Sequence, residues 1–145
     1  MINSFMQTAI EQAAYSNENG GIPEGAALIQ NDVLLAVGQN KMVQENNPIM
    51  HAIINCLQNA GQTDFKTATI YTTLMPCYLC AGALLQLGIK KIIVGESFTT
   101  MGAKDIMVGH GIEIIDLDLP ELRIMMRNFI QQNPHVWEEY MGKEK

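Results

Sequence analysis

The sequence predicts an α/β protein, a three-layer α/β/α sandwich around a mixed five-stranded sheet. Two observations carry this prediction. Short runs rich in apolar and β-branched residues alternate along the chain with longer runs of helical periodicity, and two strand-length runs are separated only by Asn31-Asp32, the signature of a hairpin. The predicted order is α-β-β-α-β-α-β-(α)-β-α, which is typical of layered α/β folds. With 145 residues, 48% of them apolar, the chain fits one domain spanning residues 1–145.

The N-terminal part of the chain is predicted to form a helix followed by the hairpin. Ser4 is a suitable N-cap for the helix, and Asn and Gly in residues 17–21 can end it because both tolerate the left-handed turn. Strands then follow at residues 26–30 and 33–37.

The rest of the chain alternates between helices and strands. Pro120 suits the first turn of the last predicted helix, and beyond it we expect only a short tail carrying Trp137 and Tyr140. In order, the predicted elements are helix 51–61, strand 68–73, helix 77–87, strand 91–94, short helix 103–109, strand 112–115 and helix 119–132.

The charge balance excludes several classes of partner. The net charge is −6, the pI is about 4.9, and the nine basic residues are scattered, whereas a nucleic-acid surface needs clustered Lys and Arg. No apolar run reaches 18 residues, and no basic segment followed by a hydrophobic stretch opens the chain. The sequence therefore predicts a cytoplasmic protein with neither a nucleic-acid nor a membrane partner.

Two cysteines and one histidine form a candidate metal site. Cys77 and Cys80 open an apolar helical run directly after Pro76, where unpaired N–H groups favour thiolates. His51 opens another helical run 26 residues upstream, and Cys₂His is a ligand set that leaves zinc one open position. A redox pair and two buried small residues are the alternatives, and the ligand types alone also admit other metals. Cys56 is interpreted as a buried, inert thiol.

The motif His51-Ala52…Pro76-Cys77-x-x-Cys80 resembles the zinc-dependent nucleobase and nucleoside deaminases, whose signature is H-x-E…P-C-x-x-C. The resemblance extends over nearly the whole chain and is greatest to the fungal-type cytosine deaminases. The additional similar segments are Gly20-Gly21-Ile22-Pro23, the hairpin ending in Asn40, Tyr71-Thr72-Thr73-Leu74, Val94-Gly95-Glu96 and Phe129-Ile130…Pro134…Trp137. The resemblance implies a cytidine deaminase-like fold, a homodimer and one Zn²⁺ per subunit.

The resemblance also implies roles for individual residues. In this family zinc activates a water that attacks the carbon bearing the amino group, and the glutamate two residues after the histidine carries the protons. The metal ligands carried over are His51, Cys77 and Cys80, and the substrate-binding residues are Asn40, Ala52, Phe98, Trp137 and Tyr140.

The pattern fails at the proton-carrying position, which is Ile53 in this chain. Glu24, in contrast, stands where the family has an apolar residue that lines the pocket, so the acid and the apolar residue look exchanged. We hypothesise that Glu24 carries the protons from the opposite wall of the pocket. The alternative is that Glu24 is a solvated loop residue beside an inactivated site. Tyr140 replaces a family aspartate that hydrogen-bonds the cytosine ring, which weakens the case for cytosine itself.

These observations give two functional hypotheses. The first is a zinc-dependent hydrolase that deaminates a small free nucleobase or related heterocycle, cytosine-like or guanine-like, and releases ammonia. The second is a zinc-binding protein that holds a base without turnover, which Ile53 favours. Editing of tRNA or single-stranded DNA is disfavoured because it would need a basic groove.

Overall fold

A computed structural model of the chain describes residues 3–142 and contains a five-stranded sheet flanked by helices. The strand order is β2-β1-β3-β4-β5. β1 pairs antiparallel with both β2 and β3, whereas the β3–β4 and β4–β5 pairs are parallel. The sheet is therefore mixed, and the predicted fold class is confirmed.

Six α-helices and the five strands alternate in nearly the predicted order. The strands are β1 Gly25–Gln30, β2 Val33–Gln39, β3 Ala68–Leu74, β4 Lys91–Glu96 and β5 Glu113–Asp116. The helices are α1 Ser4–Glu18, α2 Ala52–Ala60, α3 Tyr78–Leu87, α4 Lys104–Gly109, α5 Pro120–Gln132 and α6 Pro134–Met141.

Both faces of the sheet are covered, as the alternation of β1 shows. Ala26 and Leu28 belong to a buried cluster that includes residues of α2, α3 and α4. Ala27 and Ile29 point the other way, into a cluster with Met6 of α1. Successive strand residues point to opposite faces, so a continuous apolar run such as β1 is expected in a strand covered on both sides.

The close packing of α2 on the sheet depends on Gly38 of β2. A Cβ at this position would overlap the backbone of α2 at Ala52 and Cys56. The absence of a side chain therefore lets the helix that begins after His51 lie directly on the strand.

Two sequence predictions about element ends are wrong. Asn3, not Ser4, caps α1, because its side chain accepts hydrogen bonds from the backbone N–H groups of Phe5 and Met6. The segment after Asn133 is the helix α6 rather than a tail, with Pro134 in its first turn, where a missing N–H costs no hydrogen bond. Within residues 3–142 no helix combines the length and apolarity needed to cross a membrane.

Candidate active site

The proposed histidine ligand is fixed at the start of α2. His51 is the N-cap residue, in extended backbone conformation, and only 4% of its surface is exposed. Its backbone N–H donates to the carbonyl of Ile49, and its carbonyl accepts from the N–H of Asn55. These bonds hold the backbone at this position, and the imidazole lies beside Cys77 and Cys80 at the start of α3.

The two cysteines lie at the start of α3, where β3 leads into the helix. Cys77 is the N-cap residue and is partly buried, whereas Cys80, in the first turn, is fully buried. His51 Nδ1 lies 3.4 Å from Cys77 Sγ and 3.6 Å from Cys80 Sγ. All three ligand atoms lie within 4.8 Å of one another.

This arrangement fits a tetrahedral metal ion. Zn–S bonds of about 2.3 Å and Zn–N bonds of about 2.0 Å, set at the tetrahedral angle, separate nitrogen from sulfur by about 3.5 Å. The two N–S distances in the structure, 3.4 and 3.6 Å, agree with that value. One imidazole nitrogen and two sulfurs are soft and borderline donors, which suit zinc better than magnesium or calcium.

The same proximity shifts the pKa values of all three groups. A hydrogen bond from Cys80, helped by one from His51, lowers the pKa of the Cys77 thiol to about 4 despite its burial. The hydrogen bond to Cys77 and burial raise the pKa of Cys80 well above its ordinary value. Burial acts to lower the pKa of His51, but the hydrogen bond to Cys77 and the charge of Glu24 outweigh it and raise this pKa.

Glu24 is a buried residue beside this cluster. None of its surface is exposed, which contradicts the alternative of a solvated loop residue. Its Oε1 accepts hydrogen bonds from Asn40 Nδ2 and from the backbone N–H of Ala52, each at 3.1 Å. Its Oε2 accepts one from the Tyr140 hydroxyl at 2.8 Å. Three donors stabilise a buried carboxylate that would otherwise be costly to desolvate.

Asn40 is held rigidly at the end of the hairpin. Its backbone N–H donates to the carbonyl of Glu24 at 3.0 Å, and its carbonyl accepts from Ser16 Oγ at 2.7 Å. Its Oδ1 accepts from the backbone N–H of Met42. Both the oxygen and the nitrogen of the side-chain amide are therefore hydrogen-bonded, and the nitrogen donates to Glu24.

Two aromatic residues of α6 lie over the cluster. The Tyr140 ring stacks on the His51 imidazole, with centroids 4.6 Å apart and planes inclined by 22°. Trp137 stacks on the other side of Tyr140, at 5.0 Å and 9°. Burial and the charge of Glu24 raise the pKa of Tyr140 well above its usual value, so this phenol is a hydrogen-bond donor.

Two of the sequence-selected residues lie elsewhere. Ile53 is fully buried in the apolar cluster that also holds Met75 and Cys80, so the family's glutamate position is part of the core. Phe98 is 79% exposed on the loop after β4, where Arg123 lies over its ring. The structure thus brings together seven of the ten predicted residues by direct contact: Glu24, Asn40, His51, Ala52, Cys77, Cys80 and Tyr140, with Trp137 stacked on the last of them.

Sequence reasoning missed how these residues are held. The Ser16–Asn40 bond and the Tyr140–Glu24 bond join positions 24 and 116 residues apart, and no local signal marks them. Helix α6 did have a signal, because Pro134 directly after Asn133 is a favourable helix start.

Comparison with known proteins matches this site to one family. The model of the cytidine and deoxycytidylate deaminase zinc-binding region matches residues 1–96, about two thirds of the chain. A cytosine deaminase of Candida albicans is 37% identical over 142 residues, or 95% of each chain. A tRNA-specific adenosine deaminase of Buchnera aphidicola is 29% identical over 133 residues, 89% of this chain and 85% of that one.

A solved structure has a similar fold. The guanine deaminase from Nitrosomonas europaea superposes with a TM-score of 0.72 at 20% identity, over 86% of this chain and 82% of that one. Three observations agree with one another: the sheet is mixed, the His-Cys-Cys cluster lies at the starts of two helices, and the family match extends through both of these helices, α2 and α3. The chain belongs to the cytidine and deoxycytidylate deaminase zinc-binding family.

Proposed function

We propose that this protein is a zinc-dependent hydrolase that removes the amino group of a small free nucleobase or related heterocycle and releases ammonia. The observation that carries the proposal is the buried Glu24 carboxylate, placed beside the His51-Cys77-Cys80 cluster by its bond to the Ala52 N–H. A metal ligand set and a carboxylate at one point are the two parts that hydrolytic deamination needs.

His51, Cys77 and Cys80 would hold one zinc ion per chain. When bound there, zinc supplies a nucleophilic water at neutral pH. The chain contributes the proton transfers: Glu24 takes one proton from the nucleophilic water and delivers it to the ring nitrogen. It then takes the second proton from the hydroxyl formed on the attacked carbon and delivers it to the amino group, which leaves as ammonia while the carbonyl forms. Ala52 N–H and Asn40 fix the orientation of the carboxylate, since both donate to its Oε1.

The substrate class follows from the relatives and from the shape of the site. The similar proteins act, by their names, on cytosine, on guanine or on adenosine in tRNA. Next to the metal cluster, the rings of His51, Tyr140 and Trp137 stack on one another, so this region suits planar rings. The net charge of −6 favours a free base over tRNA, because an RNA surface needs a cluster of basic side chains.

The second candidate is a protein that binds zinc and a base without turnover. The specific observation in its favour is Ile53, an apolar core residue at the position that carries the family's acid. It requires that Glu24 act only as a structural anion for its three donors.

We further propose a homodimer formed through the outer face of α2 and α3. A groove of about 550 Å³ on this face is lined mainly by apolar side chains: Ile49, Met50, Ile54, Leu57, Ala83 and Leu87. A second copy of the chain would cover it. Light scattering should show that Leu87→Glu yields a monomer while Ile124→Glu, an exposed position on α5, leaves the dimer intact.

Ammonia release by the zinc-loaded protein, measured on cytosine, isocytosine, guanine, adenine and cytidine, tests the proposed activity. We expect turnover of at least one free base and none of cytidine. If no compound releases ammonia although zinc is bound and the fold is intact, the second candidate, a protein that binds a base without turnover, is favoured instead.

A further inference from the structure

The phenol of Tyr140 fills a slot between two other flat rings. We define this ring slot as the space between the His51 imidazole and the Trp137 indole. Tyr140 lies 4.6 Å from the first ring and 5.0 Å from the second, centroid to centroid, and nearly parallel to both. Only 7% of its surface is exposed. The slot therefore accepts a single planar six-membered ring, and Tyr140 itself provides it.

The hydroxyl at the edge of the Tyr140 ring also makes a specific contact, a hydrogen bond to Glu24. In the part of the chain that the structure describes, the Tyr140 hydroxyl is the only donor to Glu24 Oε2, whereas Oε1 has the Asn40 and Ala52 donors. If the phenol left the slot, Oε2 would lose its hydrogen bond while remaining buried. An unsatisfied buried carboxylate oxygen is unfavourable, so whatever replaces the phenol must bring a donor of its own.

We infer that Tyr140 determines which ligands this site accepts: a planar heterocycle binds on His51 only by displacing the phenol from the ring slot, and it must present an N–H or O–H donor to Glu24 Oε2. The inference rests on the proposed function, because it concerns the ring that the site binds. It adds a selection rule that the metal cluster alone does not impose.

Displacement requires movement of a small element. Tyr140 and Trp137 both belong to α6, an eight-residue helix that packs against Phe129 and Met126 of α5. The ligand competes with a ring that is already in place, so its apparent affinity is reduced by the fraction of molecules in which the slot is open. Removing the tyrosine ring should therefore tighten binding.

The donor requirement is tested with two ligands of equal shape. Trp137 is the only tryptophan and stacks on Tyr140, so its fluorescence reports the state of the slot. We expect 4-aminopyrimidine to bind the zinc-loaded protein at least about tenfold more tightly than 4-methylpyrimidine, because only the amino compound can donate to Glu24. Equal affinities of the two compounds would overturn the donor requirement.

The role of the tyrosine ring is tested by substitution. We expect Tyr140→Ala to bind 4-aminopyrimidine about tenfold more tightly than the wild type, since two ring stacks and one hydrogen bond no longer oppose the ligand. Tyr140→Phe keeps the ring but not its hydrogen bond, so its affinity should lie between the two. Tyr15→Ala, an exposed site on α1, serves as the control and should behave as wild type.

Wild-type affinity in both Tyr140 variants would refute the inference. If Tyr140→Ala fails to fold, as judged by circular dichroism and zinc content, Tyr140→Phe decides alone: tighter binding supports displacement and unchanged binding excludes it. Ammonia release is a separate readout. Tighter binding without turnover would reject the proposed hydrolysis but support the role of Tyr140. Turnover with unchanged affinities would support the hydrolysis but reject the role of Tyr140.

Discussion

Glu24 Oε1 accepts a hydrogen bond from the backbone N–H of Ala52 at 3.1 Å, and thereby ties the loop before β1 to the residue that directly follows the metal-ligand candidate His51. This N–H belongs to the first turn of α2, where no intrahelical acceptor exists. The carboxylate thus serves the helix terminus and lies beside the metal cluster at once. Substitution at Glu24 can separate these two contributions.

Glu24→Gln should remove turnover while leaving the metal site intact. The amide can still accept hydrogen bonds through its oxygen, but it cannot carry a proton, so we expect kcat to fall by about 10²- to 10⁴-fold with unchanged zinc content. Glu45→Gln is the matched control, because Glu45 is exposed and pairs with Lys41 at 3.9 Å. Full activity of Glu24→Gln would mean that another group carries the proton.

Restoring the family's acid at position 53 should destabilise this chain. Ile53→Glu buries a second carboxylate in an apolar cluster, and we expect a loss of at least about 2 kcal/mol in urea unfolding. Ile53→Val, which only shortens the side chain, should cost about 1 kcal/mol.

Exchanging the residues at positions 24 and 53 is a stronger test of whether the two positions are coupled. The double variant Glu24→Ile, Ile53→Glu should be less destabilised than the sum of its single variants by about 1–3 kcal/mol, because Ile53 directly follows Ala52, whose N–H binds Glu24, and neighbouring positions are energetically coupled. Strict additivity of the two costs would show that positions 24 and 53 are energetically independent and that the exchange has no structural meaning.

Zinc affinity should rise with pH. Cys77, with a pKa of about 4, is already a thiolate at neutral pH, but Cys80 has a raised pKa and must release its proton on binding. We therefore expect about a tenfold gain in affinity for each pH unit near neutrality, and a steeper dependence below the raised pKa of His51, where a second proton must leave.

Competition with a chromophoric chelator between pH 6 and 8.5 measures this dependence. Cys56→Ala is the control and should give the same slope, because burial raises the pKa of Cys56 to about 12 and this thiol lies outside the ligand set. An affinity that does not change with pH would contradict the proposed protonation of Cys80.

Gly38→Ala should disturb the site from a distance. Its Cβ would overlap the backbone of α2 at Ala52 and Cys56, so the helix that positions His51 must shift. We expect a lower midpoint of thermal unfolding together with weaker zinc binding. Gly82→Ala in α3 is the matched control, since no atom of residues 3–142 lies within 4 Å of the added Cβ, and it should stabilise by about 0.5–1 kcal/mol. Equal midpoints for the two variants would refute this packing argument.

The sequence by itself determined the fold class and the metal cluster. Local patterns suffice for both: β1 is a continuous apolar run, the hairpin is marked by its turn, and both α2 and α3 are preceded by ligand-type residues at their N-caps. Because the donors of a helix start lie within one turn, a motif such as Pro76-Cys77-x-x-Cys80 already fixes most of its own geometry.

Only the tertiary structure decided what surrounds that cluster. It showed that Glu24 is buried rather than solvated, that Ile53 is a core residue, and that Tyr140 occupies the slot beside His51. These facts depend on contacts between residues such as Glu24 and Tyr140, 116 positions apart. No periodicity or spacing encodes such a contact, because it arises when packing of α6 on α5 and of the hairpin on α2 brings three separate segments to one point.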